Sequence, residues 1–93
     1  MADQIVLTLP DRSAFADVAA ETAATIALRV GFSGAQVDRL RDEVSSAFVR
    51  TVGTAEGAGA SVVVEYDIGA EGVTVQIGER TGIVVHLKRR GPD

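Results

Sequence analysis

One long amphipathic segment constrains the fold of this chain more than any other stretch. Residues 32–53 open with the start signal of a helix, since Ser33 can cap the first turn and Gln36 can reach back to it. Phe32 and Val37 flank this start at the spacing of a hydrophobic staple. The segment therefore predicts a helix with a fixed beginning.

The same segment has an apolar stripe at helical spacing, which predicts that one side of the helix is buried. Gly53 is suited to the left-handed conformation that terminates many helices. We therefore expect the core helix of a small domain, with Arg39, Arg41 and Arg50 outside the stripe. The residues of the predicted stripe are Val37, Leu40, Val44, Ala47, Phe48 and Thr51.

Length and composition bound the class of protein. The 93 residues are enough for one domain, which we expect to span residues 1–93. A formal net charge of −4 disfavours nucleic acid as a partner, and the lack of cysteine excludes disulfides and thiolate chemistry. No segment approaches membrane-spanning length and the start lacks a signal-peptide pattern, so we expect a cytoplasmic protein with no membrane contact.

A strand and a first helix are predicted before the long helix. Alternation over residues 4–9 is typical of a strand, which Pro10 and the next residue end. Asp11 or Ser13 is expected to cap a helix over residues 12–30, which Gly31 terminates. The predicted buried stripe of this helix is Phe15, Val18, Ala19, Thr22, Ile26 and Val30.

Three further strands follow residues 53–60, a Gly/Ala-rich segment that we interpret as a connector. A phosphate-binding loop is the weaker interpretation, because this segment leads into a strand and not into a helix. Short turns at 69–72 and 78–82 predict an antiparallel meander. The apolar face of the four strands consists of Ile5, Leu7 and Leu9; Val62, Val64, Tyr66 and Ile68; Val73, Val75 and Ile77; and Ile83, Val85 and Leu87.

These elements predict an α+β fold in the order β-α-α-β-β-β. Two helices would cover one face of a four-stranded, mainly antiparallel sheet and form a two-layer sandwich. The place of the first strand stays open, since the long helical excursion permits either edge of the meander. A third helix longer than two turns, or a closed barrel, would contradict this prediction.

Several strings of the sequence, in this order, resemble the bacterial anti-sigma-factor serine kinases of the histidine-kinase-type (GHKL) ATPase family. They are LTLPDRSAF, LRVGF, VDRLRDEVSSAFVRTV, VEYDIGAEGVTVQI and GIVVHLKRR, and together they span nearly the whole chain. The resemblance implies a truncated form of that ATPase fold. It also implies a protein partner, which would be a sigma factor, an anti-sigma antagonist or a related regulator.

The departures from the family pattern imply that the nucleotide site has been lost. In the family, a helical Glu orients the attacking group and an Asn four residues later holds magnesium; without gaps these positions fall on Ser46 and Arg50. Serine is no carboxylate base, and a guanidinium repels a cation. A shifted register places Glu43 in the acid position but leaves Ala47 where the Asn is needed.

The second nucleotide signature of the family, Asp-x-Gly-x-Gly, is also altered. Glu79, Thr81 and Ile83 stand at its three defined positions. The last strand then begins at once, so no residues remain for a lid or its glycine-rich phosphate loop. We therefore expect no cofactor and no enzymatic activity. Three hypotheses remain: a regulatory protein-binding domain, a minimal kinase or ATPase completed by another subunit, and a self-associating structural module.

The open face of the sheet is a candidate interaction surface. Val6, Val63 and Val84 interrupt an otherwise polar face, and His86 is expected beside them as a surface residue without a catalytic partner. If the strand order brings two or three of these valines together, they form a small apolar patch rimmed by charges that would support a homodimer. Ordinary β-propensity at exposed positions is the competing explanation.

Overall fold

The computed structural model describes residues 3–52, 61–78 and 83–88, and these residues form two layers. The predicted α+β class and element order are confirmed, and a three-residue 3-10 turn is the only helical segment of the described residues besides the two helices. The elements are β1 (Asp3–Pro10), the 3-10 turn (Ser13–Phe15), α1 (Ala16–Arg29), α2 (Gly34–Thr51), β2 (Ser61–Gly69), β3 (Gly72–Ile77) and β4 (Ile83–Lys88).

The sheet settles where the first strand lies. Its order is β1-β2-β3-β4, and every neighbouring pair is antiparallel. After the two helices, the chain therefore returns beside β1, with Asp3 opposite Ile68 and Pro10 opposite Ser61. β1 and β4 are consequently the two edge strands of the described sheet.

The side of the sheet that faces the helices is the core. Alternate residues of β2, β3 and β4 are buried there, as the period of two predicted. The two helices pack against each other, and α2 also contacts β3 and β4. The buried strand residues are Val62, Val64, Tyr66, Val73, Val75, Ile77, Val85 and Leu87.

α2 begins as its sequence predicts. Ser33 Oγ accepts a hydrogen bond from the Gln36 backbone N–H at 3.3 Å, and Gln36 Oε1 accepts one from the Ser33 N–H at 3.1 Å. This reciprocal capping box satisfies two N–H groups that a helix start leaves without partners. The whole predicted stripe of α2 is buried. The helix ends with Val52 as its C-cap, while Gly53 lies outside the described residues.

α1 differs from its prediction at its start and along its buried side. The N-cap positions fall on Arg12 and Phe15, and neither makes a capping side-chain hydrogen bond, so the predicted cap by Asp11 or Ser13 is wrong. Val18, expected in the core, is 43% exposed. Small side chains occupy the buried side instead: Ala16, Ala19, Ala20, Ala23, Ala24 and Ala27, with Ile26.

The turn between the helices confirms Gly31 as the stop of α1. Gly31 has a φ of 96°, which favours glycine. The Phe32 N–H donates to Ala27 O at 3.1 Å, and the Gly31 N–H donates to Leu28 O at 3.2 Å. These two bonds form a Schellman motif, which satisfies carbonyl groups at the helix end and reverses the chain. α2 therefore packs beside α1, as expected.

Candidate functional site

A groove between α2 and β4 gathers the positions at which the resembled kinases hold nucleotide. Its volume is about 410 Å³. Ser46, Arg50 and Ile83, three of the five altered signature positions, lie in this groove together. Glu79 and Thr81 lie outside the described residues. The lining consists of Asp42, Glu43, Ser46, Arg50, Ile83, Val84, Val85 and His86.

The side chains of the α2–β4 groove carry both signs of charge and are mostly exposed. Asp42, Glu43 and Arg50 are exposed on α2, and Glu43 forms a loose ion pair with Arg39 at 3.8 Å. Ala47 is fully buried, so the register that uses Glu43 as the acid directs its second position into the core. Within the described ranges, no cluster of three His, Cys, Asp or Glu side chains could hold a metal ion.

A polar row crosses the open face of the sheet and includes His86. Gln4 Nε2 donates to Asp67 Oδ1 at 3.0 Å, and Asp67 is paired with Thr74 on the next strand. Thr74 Oγ1 lies 3.2 Å from His86 Nδ1. His86 is exposed on the open face, as the sequence predicts, and its ring contacts the Thr74 hydroxyl group.

The valines of the open face do not form one patch. Val6 lies opposite Glu65, and Glu65 lies opposite Gln76, which pairs with Val84. Three strand spacings therefore separate Val6 from Val84, a distance of about 14 Å. Val63 is different, because it pairs with Thr8 and so lies diagonal to Val6. The strand order brings Val6 and Val63 together and leaves Val84 at the far edge.

The helix-facing side of β1 is only partly covered. Exposure rises along the strand from the buried Leu9, through the half-buried Leu7, to Ile5 at 39%. Tyr66, directly opposite Ile5, is fully buried under α1. α1 therefore contacts β2 at Tyr66, and the cover over β1 decreases from Leu9 toward Ile5. The exposure of Ile5 is not evident from the sequence, because alternation assigns this residue to the apolar face without showing how far the helices extend over it.

Tyr66 joins the sheet to α1. Its hydroxyl donates to the backbone oxygen of Ala19 at 2.9 Å. Burial raises the pKa of Tyr66 to about 12. A phenol with a buried ring and a satisfied hydroxyl is a structural anchor at the border between β2 and the first helix.

Three charged side chains connect the outer surfaces of the helices. Arg41 Nη1 donates to Asp38 Oδ1 at 2.6 Å, and Arg41 Nε lies 2.8 Å from Glu21 Oε1 without the alignment of a hydrogen bond. The hydrogen bond with Asp38, and then the charge of Glu21, raise the pKa of Arg41. Exposed ion pairs of this kind stabilise a fold only slightly. We therefore interpret this cluster as a surface contact between the two helices and not as a catalytic site.

No protein-family model matches this sequence. A comparison with curated proteins finds no match either. The likeness to the anti-sigma kinases therefore rests on the strings quoted above and stays a prediction. In the described part of the chain, neither helix combines the length and hydropathy that crossing a membrane would need.

Proposed function

We propose that this chain is a non-catalytic regulatory domain that binds a protein partner in the cytoplasm and has no nucleotide site. The observation that carries the proposal is the composition of the α2–β4 groove. Ser46 and Arg50 line it where a related kinase needs a carboxylate base and a magnesium ligand. These two positions therefore lack the base and the metal ligand that phosphoryl transfer uses in the resembled family.

The charges of the groove differ in arrangement from those that hold magnesium-ATP in the resembled family, because a cation occupies the position of the metal ligand. The guanidinium of Arg50 repels a divalent cation. Asp42 and Glu43 lie about two turns earlier on the same helix and carry the opposite charge, which repels phosphate groups on that side of the groove. The competing enzyme hypothesis therefore needs another subunit to supply the base, the metal ligand and the lid.

The class of partner follows from the resemblance. Degenerate relatives of the anti-sigma kinases would keep a surface for a sigma factor, an anti-sigma antagonist or a related regulator. A regulator that has lost its nucleotide acts by occupying its partner. We therefore expect binding that does not change when ATP is added.

Thermal unfolding with magnesium and ATP tests this proposal. The melting temperature should stay unchanged with ATP and magnesium together, because a ligand stabilises the folded state only in proportion to its occupancy. ATP with a chelator and magnesium alone are the controls for nonspecific anion and cation effects. A rise that requires both components would contradict the proposal, and so would nucleotide-dependent capture of a partner from the native host.

A further inference from the structure

β1 is an edge strand without the usual protection. Natural edge strands are commonly short, or carry charges, prolines or bulges that prevent another strand from pairing with them. β1 is eight residues long, and residues 4–9 contain no charged side chain and no proline. The opposite edge, β4, is six residues long and carries His86 and Lys88.

The direction of the backbone groups of β1 follows from the sheet register. The Gly78 N–H donates to Val63 O, so β2 directs the backbone groups of its odd-numbered residues toward β3 and those of its even-numbered residues toward β1. Leu7 pairs with the even-numbered Val64. The odd residues of β1 therefore bond to β2, and the even ones direct their N–H and C=O groups to the outer edge. The outward residues are Gln4, Val6 and Thr8, with Pro10 at the end of the strand.

Apolar side chains are exposed on both sides of this edge. On the helix side, Ile5 is 39% exposed and Leu7 is half-buried. On the open side, Val6 is 51% exposed and has Val63 as its diagonal neighbour. Exposed valines are unremarkable singly, but here they flank a row of backbone groups that is suited to pairing with another strand.

We propose that β1 pairs with β1 of a second copy of this chain, antiparallel about a two-fold axis at Val6. The two four-stranded sheets would then form one eight-stranded sheet with all four helices on the same side. This inference does not depend on the proposed function, since it concerns a different surface from the groove.

The sequence of β1 is complementary to itself in this register. Val6 meets its own copy, Ile5 meets Leu7, Gln4 meets Thr8, and Asp3 meets Leu9. Apolar residues thus meet apolar residues at the centre, a polar pair lies on the open face, and no like charges are opposed. The outward residues are also the hydrogen-bonded positions of this register. The backbone of Val6 would bond to Val6 of the second copy, and the backbone of Gln4 in each copy would bond to Thr8 in the other.

The dimer would also cover the exposed apolar side chains. Ile5 and Leu7 of each copy would form a four-residue cluster on the helix side. On the open side, Val6 and Val63 of both copies would form a diagonal strip. The two Glu65 carboxylates would lie three strand spacings apart, about 14 Å, at which solvent and salt screen their repulsion.

Sedimentation equilibrium with one pair of matched variants tests the proposal. The wild-type chain should show twice its mass of 9.7 kDa. Val6→Lys should raise the dimer dissociation constant more than about tenfold, because it removes the central apolar contact and places two like charges across the axis. Val84→Lys is the control, since Val84 is exposed to a similar extent on the same face of the opposite edge strand.

A second pair of variants tests the backbone. Val6→Pro removes one N–H from the outer edge of β1, where proline is tolerated, and should weaken the dimer while circular dichroism stays unchanged. Val84→Pro removes the corresponding outward N–H of β4 and should leave the dimer intact. A monomeric wild type, a Val6→Lys dimer as tight as wild type, or equal weakening by Val84→Lys would overturn the proposal. A monomer that instead adds a strand from another protein would overturn it as well.

Discussion

Tyr66 is the largest fully buried side chain, and it connects β2 to α1. Its ring lies in the core, and its hydroxyl is satisfied by a helix carbonyl group. Because the phenol is neutral in the folded chain and burial opposes its ionisation, this residue links folding stability to alkaline pH.

Stability should therefore fall as the pH rises from about 10 to about 12. An unfolded tyrosine ionises near pH 10, whereas the pKa of Tyr66 in the fold is about 12. Between these values the unfolded chain binds fewer protons, so the free energy of unfolding decreases as the pH increases, and the contribution is intact below pH 10. Urea denaturation at a series of pH values measures this dependence.

Tyr66→Phe is the matched variant for this titration. It should lose the part of the alkaline slope that belongs to Tyr66, while the titration of lysines and arginines remains in both proteins. At neutral pH it should cost about 0.5–1.5 kcal/mol, the usual value of one hydrogen bond. An identical alkaline slope in the variant would show that the Tyr66 phenol is not the linked group.

At the scale of elements, α1 packs through small side chains. Six of its seven buried residues are alanines, so the helix can approach both α2 and the sheet closely. Ala23 is fully buried on this side, while Thr25 is exposed on the same helix. The packing of this helix therefore depends on the absence of bulk.

Ala23→Leu should destabilise the fold by about 1–3 kcal/mol or more, because extra methylene groups in a close-packed core force shifts of side chains and backbone. Thr25→Leu adds an equally large side chain to the exposed side and should change the free energy of unfolding by less than about 0.5 kcal/mol. Urea denaturation of both variants gives the comparison. An equal loss in the free energy of unfolding for the two variants would mean that the buried side of α1 can accommodate a larger side chain.

The contrast between the two helices shows which features of an element its sequence can predict. The cap and the buried stripe of α2 were both predicted, because Ser33 and Gln36 form a recognisable capping box and apolar residues recur at helical spacing. In α1 the valine and phenylalanine positions suggested a stripe that Val18 contradicts. Alanine carries little information in a hydropathy pattern, because it occurs on both buried and exposed surfaces of helices. The buried side of an alanine-rich helix therefore becomes clear only from its neighbours.

At the scale of the whole molecule, local patterns predicted the strands and the meander of β2, β3 and β4, but not which edge β1 joins. Nothing local distinguishes a first strand beside β2 from one beside β4. The candidate sites shared this uncertainty. Ser46 and Arg50 lie four residues apart on α2 and so share one surface, whereas the valine patch depended on strand order, which places Val84 at the other edge. A site within one element is therefore more predictable than a site across a sheet.

The long return of the chain to β1 also has a consequence for the order of folding. Gln4 bonds Asp67 across 63 positions of sequence, whereas β2, β3 and β4 are joined by short turns. Closing so large a loop costs entropy before any contact compensates for it. We expect the meander and the helical hairpin to form first, and β1 to join after the transition state.

Leu9→Ala should therefore speed unfolding and leave the folding rate nearly unchanged, since contacts absent from the transition state affect mainly the unfolding rate. Val75→Ala, a truncation in the central meander, should slow folding instead. Stopped-flow folding in urea, at concentrations where the chain is monomeric, measures both rates, and a Leu9→Ala variant that folds markedly more slowly would contradict this order. Until β1 pairs with it, β2 is an open edge strand with alternate apolar residues, so a chain that is still folding exposes a strand edge to other chains until this long-range pairing forms.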